Sequence, residues 1–302
     1  MDNSFLDKII NQELIKKDGT MDKIACPATG QKPDISLKGK MIQSGLITRL
    51  ELRITNFYPS VPLRDYATIN IDAGYSNSVV RATMSGQVWT AFQESPGPDG
   101  VTFFEINLGV YDKWLNGVYS KNFDAGSPVT NLYQWVADIL GLDFSGSGIT
   151  DTLTDSIFLG PKNVNGLIAD ITTLTGIKYI TRMDSKALVV FPHDSNTGKV
   201  FNIDYFSASP QRSAAGWIFN SPWYPDLRVG DLCKIDPKYF KTTFAVQHSD
   251  IFTPDLETGV NDPAPSSLTV LTIDFEFRTN GPQNLMSVVA LDGTEQAKED
   301  SQ

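Results

Sequence analysis

The stretch Leu46-Ile47-Thr48-Arg49-Leu50-Glu51-Leu52-Arg53-Ile54 decides the fold class. In an extended chain Leu46, Thr48, Leu50, Leu52 and Ile54 fall on one side and Arg49, Glu51 and Arg53 on the other, because successive side chains of a strand point to opposite faces. One face is dry and the other wet, the pattern of an antiparallel sheet with a single solvated side. The period of two continues downstream. Ala67, Ile69 and Ile71 alternate with Thr68, Asn70 and Asp72, and Val80, Ala82, Met84, Gly86 and Val88 supply a third strand. The turn-forming run Ser95-Pro96-Gly97-Pro98-Asp99-Gly100 then leads into a fourth strand, Val101–Leu108. Such strands predict a barrel or sandwich, since an open sheet edge invites uncontrolled pairing.

Upstream of this region the first forty residues read as an arm. Ser4 is placed to cap a short helix through about Lys17, with Leu6, Ile9, Ile10 and Leu14 on one face and Asp18-Gly19 at its end. That face is too small to fold alone, so the arm is expected to dock on its own domain or on a neighbouring copy.

Downstream the period changes. Ser127-Pro128 is a helix start and Gly141 a stop, with Val129, Leu132, Val136, Ile139 and Leu140 forming the apolar stripe between them. A second helix is expected over Val164–Leu174 before Gly176, followed by a hairpin of Ile177–Thr181 and Ala187–Phe191. The strand pattern returns at Val200–Phe206, Asp231–Ile235, Phe244–Gln247 and Leu268–Arg278.

The chain is therefore expected to be mainly β, with two β-barrel-like domains and a small α+β module between them. The expected divisions are an arm over 1–40, a first barrel over 41–118 and the module over 119–197. A second barrel, or completion of the barrel layer, covers 198–291, and an acidic disordered tail covers 292–302.

With 302 residues the chain can hold two or three modules, and its net charge of −10 argues against a general nucleic-acid surface. No apolar run is long enough to span a bilayer as a helix and no N-terminal signal is evident, so synthesis in a host cytoplasm is expected. Cys26 and Cys233 belong to no C-x-x-C pair and read as separate thiols.

Nothing in the sequence advertises catalysis. The adjacent residues His248-Ser249-Asp250 point to alternate sides of an extended segment and do not converge as a triad, and His193 reads as a turn residue. Close ligand pairs for zinc are absent, and Asp143, Asp151 and Asp155 have no EF-hand spacing. Asp99, Glu105, Asp274 and Glu276 satisfy the arithmetic of a glycosidase carboxylate pair, as any acidic β-protein does. Trp89 and Trp114 could form a sugar platform, but core or subunit packing is the better reading. No enzymatic activity, cofactor or metal is expected. Trp217, Phe219, Trp223 and Tyr224 crowd a Gly/Pro-rich connection, where they either anchor a subunit contact or fill the base of their own β-domain.

The order of several short motifs resembles the central hub proteins of contractile bacteriophage tails. Ala73-Gly74-Tyr75 with Met84-Ser85-Gly86-Gln87-Val88 resembles an early barrel hairpin of that family. Asp124-Ala125-Gly126-Ser127-Pro128-Val129 is similar to the start of its middle domain, and Ala215-Gly216-Trp217-Ile218-Phe219-Asn220-Ser221-Pro222 to its crossing toward a second barrel. The resemblance covers roughly Leu46–Gly281. It implies a structural protein of the virion baseplate, a homotrimeric ring between the sixfold tail tube, or its initiator protein, and a threefold central spike. DNA would pass through the ring without sequence-specific binding. A distal-tail or tube-initiator ring is the neighbouring reading, and a cell-envelope carbohydrate-binding or hydrolytic module the more distant one.

Overall fold

The computed structural model describes residues 8–25, 33–42, 48–75, 81–94, 100–108, 111–176, 179–184, 186–193, 195–213, 216–239, 267–280 and 284–292. The chain begins with β1 (Lys8–Lys16), β2 (Met21–Ile24), β3 (Ile35–Ile42), β4 (Arg49–Thr55), β5 (Tyr66–Tyr75), β6 (Arg81–Gln93) and β7 (Val101–Leu108). Next come α1 (Tyr111–Asn116), β8 (Tyr119–Phe123), α2 (Val129–Leu140), β9 (Asp143–Gly146), β10 (Ile157–Lys162), α3 (Val164–Leu174), β11 (Tyr179–Met183) and β12 (Ala187–Pro192). It closes with β13 (Val200–Ile203), β14 (Gln211–Ser213), β15 (Gly216–Pro222), β16 (Leu232–Ile235), β17 (Leu268–Arg278) and β18 (Asn284–Asp292).

The expected strands of the opening stretch are present, but they do not close into two barrels. Thirteen strands form one sheet in the order β14-β15-β18-β17-β3-β4-β7-β6-β5-β1-β2, with β16 pairing β17 and β13 lying parallel to β16. The late strands join the early ones through β17 and β3, in register from Thr272↔Ile42 to Arg278↔Ser36. The sheet is open, and it is curled. Tyr75 on β5 and Phe277 on β17 are separated in strand order by β3, β4, β7 and β6, yet their ring centroids lie 5.5 Å apart. Strands so far apart in the order touch only if the sheet wraps round its own apolar face, as strand twist favours. Gly39 makes room on that face, since a Cβ there would stand 2.6 Å from both Leu50 and Phe275.

The N-terminal segment departs from its expected helix. Lys8–Lys16 is a strand paired along its length with β5, and Asp18-Gly19 turns it into β2. Gly19 has φ of +85°, and Asp18 Oδ1 accepts from the Thr20 amide at 2.9 Å. The inward residues are Lys8, Ile10, Gln12 and Leu14, so a period of two wins over the helical spacing of Leu6, Ile9, Ile10 and Leu14. The supposed connection at Gly216–Pro222 is likewise a strand, paired to β18 from Trp217↔Ala290 to Pro222↔Leu285.

The middle of the chain follows its pattern more closely. Helix α2 ends at Gly141 with φ of +71°, and Asn163 caps α3 by accepting from the Gly166 amide at 2.9 Å. The hairpin β11–β12 forms as expected, with β9 added parallel to β12. Val129, Leu132, Val136, Leu140, Leu167, Ile171, Leu188 and Val190 belong to a second group of buried side chains, distinct from the core of the large sheet. Helix α1 has no counterpart in the sequence reading. Phe244–Gln247, His248-Ser249-Asp250, Cys26, Asp99, residues 293–302 and the Ser95–Asp99 part of the turn lie outside the described residues.

Candidate assembly surface

Four of the eight expected interface residues are interior to this chain. Ile10, Leu14, Phe219 and Trp223 are buried in the core of the large sheet and have no surface left for a neighbour. Trp223 stacks on Phe275 with centroids 4.7 Å apart and planes 10° from parallel, and its carbonyl accepts from the Tyr75 hydroxyl at 3.1 Å. It holds together the two strands that the curl brings face to face. The physical reason is again the period of two: Phe219 and Ser221 on β15 alternate inward, and Trp223 continues the row. Trp217 and Tyr224 are partly buried against the same core. Ile9, opposite Gly74 on β1, is half-buried. Leu6 lies outside the described residues.

The accessible surface that the fold builds is the outer face of β17, β3, β4, β7 and β6. Register lays its side chains in rows across the strands: Glu276-Lys38-Glu51-Glu105-Thr90, then Asp274-Lys40-Arg49-Asn107-Gln87, in which Asn107 is buried, then Arg278-Ser36-Arg53-Phe103-Phe92. Opposite charges meet along these rows. Lys38 pairs with Glu276 at 3.1 Å and Arg49 with Glu105 at 3.1 Å. Arg278 grips Asp34 with two bonds, of 2.8 and 2.5 Å, and the Arg278 guanidinium holds the Asp34 carboxyl below the usual carboxylate range against the opposing effect of burial. Exposed pairs like these contribute little stability, so the rows chiefly set which surface can lie on them.

One corner of this face is aromatic. Phe92 and Phe103 lie with centroids 4.7 Å apart and planes tilted by 32°, and the Arg53 guanidinium carbon lies 5.5 Å from the centre of the Phe103 ring. Next to them β6 carries a bulge between Val88 and Thr90, the kind of irregularity that re-aims a side chain. Trp89 sits at that bulge and is 53% exposed, while Phe92 is 42% exposed. Exposed aromatic residues beside arginine are the composition of protein contact hot spots. Alternation along the strands does make this face readable in sequence, Trp89 included, but the bulge that brings Phe92 onto it leaves no sequence signal.

A second polar cluster ties the N-terminal hairpin down. Asp22 on β2 accepts from Lys16 at 2.8 Å, from Ser60 at 2.7 Å and from the Tyr66 hydroxyl in a short bond. Burial alone would raise its pKa; these donors overturn that and hold the carboxyl far below the usual range. Burial and the Asp22 charge push the Tyr66 phenol up to about 12.

The residues tested for chemistry are scattered. Glu105 and Glu276 are bound in the ion pairs above, on strands separated by β3 and β4. Cys233 is a free, buried thiol whose pKa is raised by burial, the opposite of an activated nucleophile. His193 is exposed at the end of β12. Among the described residues no three His, Cys, Asp or Glu side chains group as metal ligands, and no helix is long and apolar enough to cross a membrane.

No protein-family model and no curated protein matches this sequence. Solved structures do resemble it in shape. The 43 kDa tail protein of prophage MuSo2 from Shewanella oneidensis is 9% identical with a TM-score of 0.58, covering 96% of this chain and 98% of that one. A tail protein from Neisseria meningitidis is 8% identical with a TM-score of 0.57, again covering 96% and 98%. An Escherichia coli component of the type VI secretion system, itself described as structurally similar to bacteriophage T4 tail proteins, is 12% identical with a TM-score of 0.56, covering 89% and 76%. At such identities the likeness is one of fold: the large curled sheet and its helical insertion are an architecture found in tail proteins and in this secretion-system component.

Proposed function

We propose that this chain is a structural subunit of a contractile tail, a hub ring at the baseplate that joins the sixfold tail tube to a threefold central spike. The observation that carries this reading is near-complete mutual coverage: the shared fold takes in 96% of this chain and 98% of a prophage tail protein.

A trimer has a physical logic for such a connector. Each chain contributes two runs of strands to its sheet, β1–β7 and β13–β18. Three chains therefore present six β surfaces toward a hexameric tube while repeating only threefold toward a spike. The charged rows and the Phe92–Phe103 corner are the face we assign to a ring neighbour or to the tube. Trp217, Tyr224 and Ile9, which keep partial exposure, are secondary candidates. A net charge of −10 suits a ring that DNA passes through, since like charge discourages sticking.

Mass measurement of the assembled hub, together with protein composition of intact tails, tests the proposal. Three copies per particle support the hub ring. Six copies would transfer the chain to the distal-tail or tube-initiator role, and absence from purified tails would overturn both.

A further inference from the structure

Residues 119–192 and the large sheet have separate cores, and a turn of the sheet reaches across to the other body. That turn, Pro225–Asp231, belongs to the sheet: the Gly230 amide donates to the Val270 carbonyl at 2.8 Å, and the Val270 amide donates to the Asp231 carbonyl at 2.9 Å. From the other side the ring of Phe191 rests on Gly230, where an added Cβ would come within 2.3 Å of it. One charged side chain of β11 completes the junction. Arg182 donates to the Val229 carbonyl, binds Asp184 at 3.1 Å and approaches Asp231 Oδ1 at 3.6 Å.

Asp231 is 1% exposed and is also held by Thr197 Oγ1 at 2.6 Å and the Arg228 amide at 2.9 Å. Beside this network lies a partly open cleft of about 220 Å³, lined by Met41, Met84 and Leu108 from the sheet, by Arg182, Met183 and Asp184 from the other body, and by Arg228 from the turn. Along this cleft the two bodies do not interlock. Opening this seam would uncover the Phe191 ring and leave the two separate cores intact.

We propose that residues 119–192 hinge against the sheet about the turn at 225–231, and that Arg182 keeps the hinge shut by compensating the buried Asp231 carboxylate. Without Arg182 the Asp231 carboxylate keeps the Thr197 hydroxyl and the Arg228 amide but loses the cation beside it, and its route to water is through the seam. The hinge gives a subunit of an assembly one internal degree of freedom, a tilt of its helical body over a fixed sheet.

Hydrogen exchange read by mass spectrometry tests this on the full chain. In Arg182→Met, amides of residues 182–184 and 229–231 should exchange about tenfold faster while α2, α3, β4 and β7 keep their protection. The double variant Arg182→Met/Asp231→Asn, which has no stranded carboxylate, should recover most of the seam's protection. Equal loss of protection in α2, α3, β4 and β7 would mean general unfolding and would overturn the hinge, as would no change at the seam. Failure of the double variant to recover, with both cores protected, would show that Arg182 does not act through Asp231 and would overturn its assigned role.

Discussion

At the scale of single residues, the two tryptophans of β15 and its extension separate core from surface. Trp223 is buried on Phe275, so Trp223→Ala should lower the chain's stability by about 3–5 kcal/mol in denaturant unfolding. Trp217, half-buried at the end of the same row, should cost much less, so that any larger effect of Trp217→Ala on assembly would mark it as a contact residue. Asp22 makes a second case, with a defined pH window. Its folded pKa is depressed by Lys16, Tyr66 and Ser60, so its contribution is present in full above the unfolded carboxylate range and is lost as pH falls through the folded value. Asp22→Asn should therefore reduce stability at pH 7 and flatten the acid limb of the stability profile below about pH 4. Equal acid sensitivity in the variant would show that the cluster does not carry this linkage. Neither Asp22 nor Arg182 was legible in sequence, because their partners are distant along the chain: Ser60 and Tyr66 for one, Asp231 for the other.

At the scale of elements, the N-terminal hairpin shows how a period can be misread. Leu6, Ile9, Ile10 and Leu14 have helical spacing, but Lys8, Ile10, Gln12 and Leu14 have strand spacing, and two of those four are polar. Local pattern could not rank the two. Pairing with β5 does, since a strand there saturates an otherwise open sheet edge. Asp18-Gly19 carried the better signal, as Asp-Gly is a hairpin turn pair. The helices were legible because α2 and α3 carry their own punctuation, Gly141 after the first and Gly176 after the second, together with apolar stripes at helical spacing. Strand β15 was not, because Gly216 and Pro222 bracket it with residues that usually mark loops. A deletion tests the role of this hairpin. Removing residues 2–25 takes away β1, β2 and the buried side chains of Ile10 and Leu14, each worth about 1.5–3 kcal/mol of burial. The truncated chain should show a lowered thermal midpoint as a monomer; a normal midpoint would return the hairpin to the role of a docking arm.

At the scale of the whole molecule, charge bears on assembly. Each copy carries −10, so identical subunits repel at a distance, and the rows on the outer face are locally balanced between Lys38, Lys40, Arg49, Arg53 and Arg278 and Asp34, Glu51, Glu105, Asp274 and Glu276. The two effects respond to salt in opposite directions. Screening of net repulsion strengthens self-association, with a Debye length falling from about 30 Å at 0.01 M to about 8 Å at 0.15 M. Screening of opposed pairs across an interface weakens it. If apolar contacts such as the Phe92–Phe103 corner hold copies together, then association followed by light scattering or analytical ultracentrifugation should tighten between those salt concentrations. Weakening over the same range would mean that the charged rows themselves form the contact. The variant Phe92→Ala/Phe103→Ala divides the cases further. On an apolar interface it should abolish the oligomer and leave the monomer's unfolding nearly unchanged, since Phe92 lies on the solvent side of β6. On an ionic interface the oligomer should survive it, and Arg49→Glu should be the substitution that breaks the ring. Both outcomes place the contact on this face; an oligomer indifferent to all of these changes would move it to another surface of the sheet.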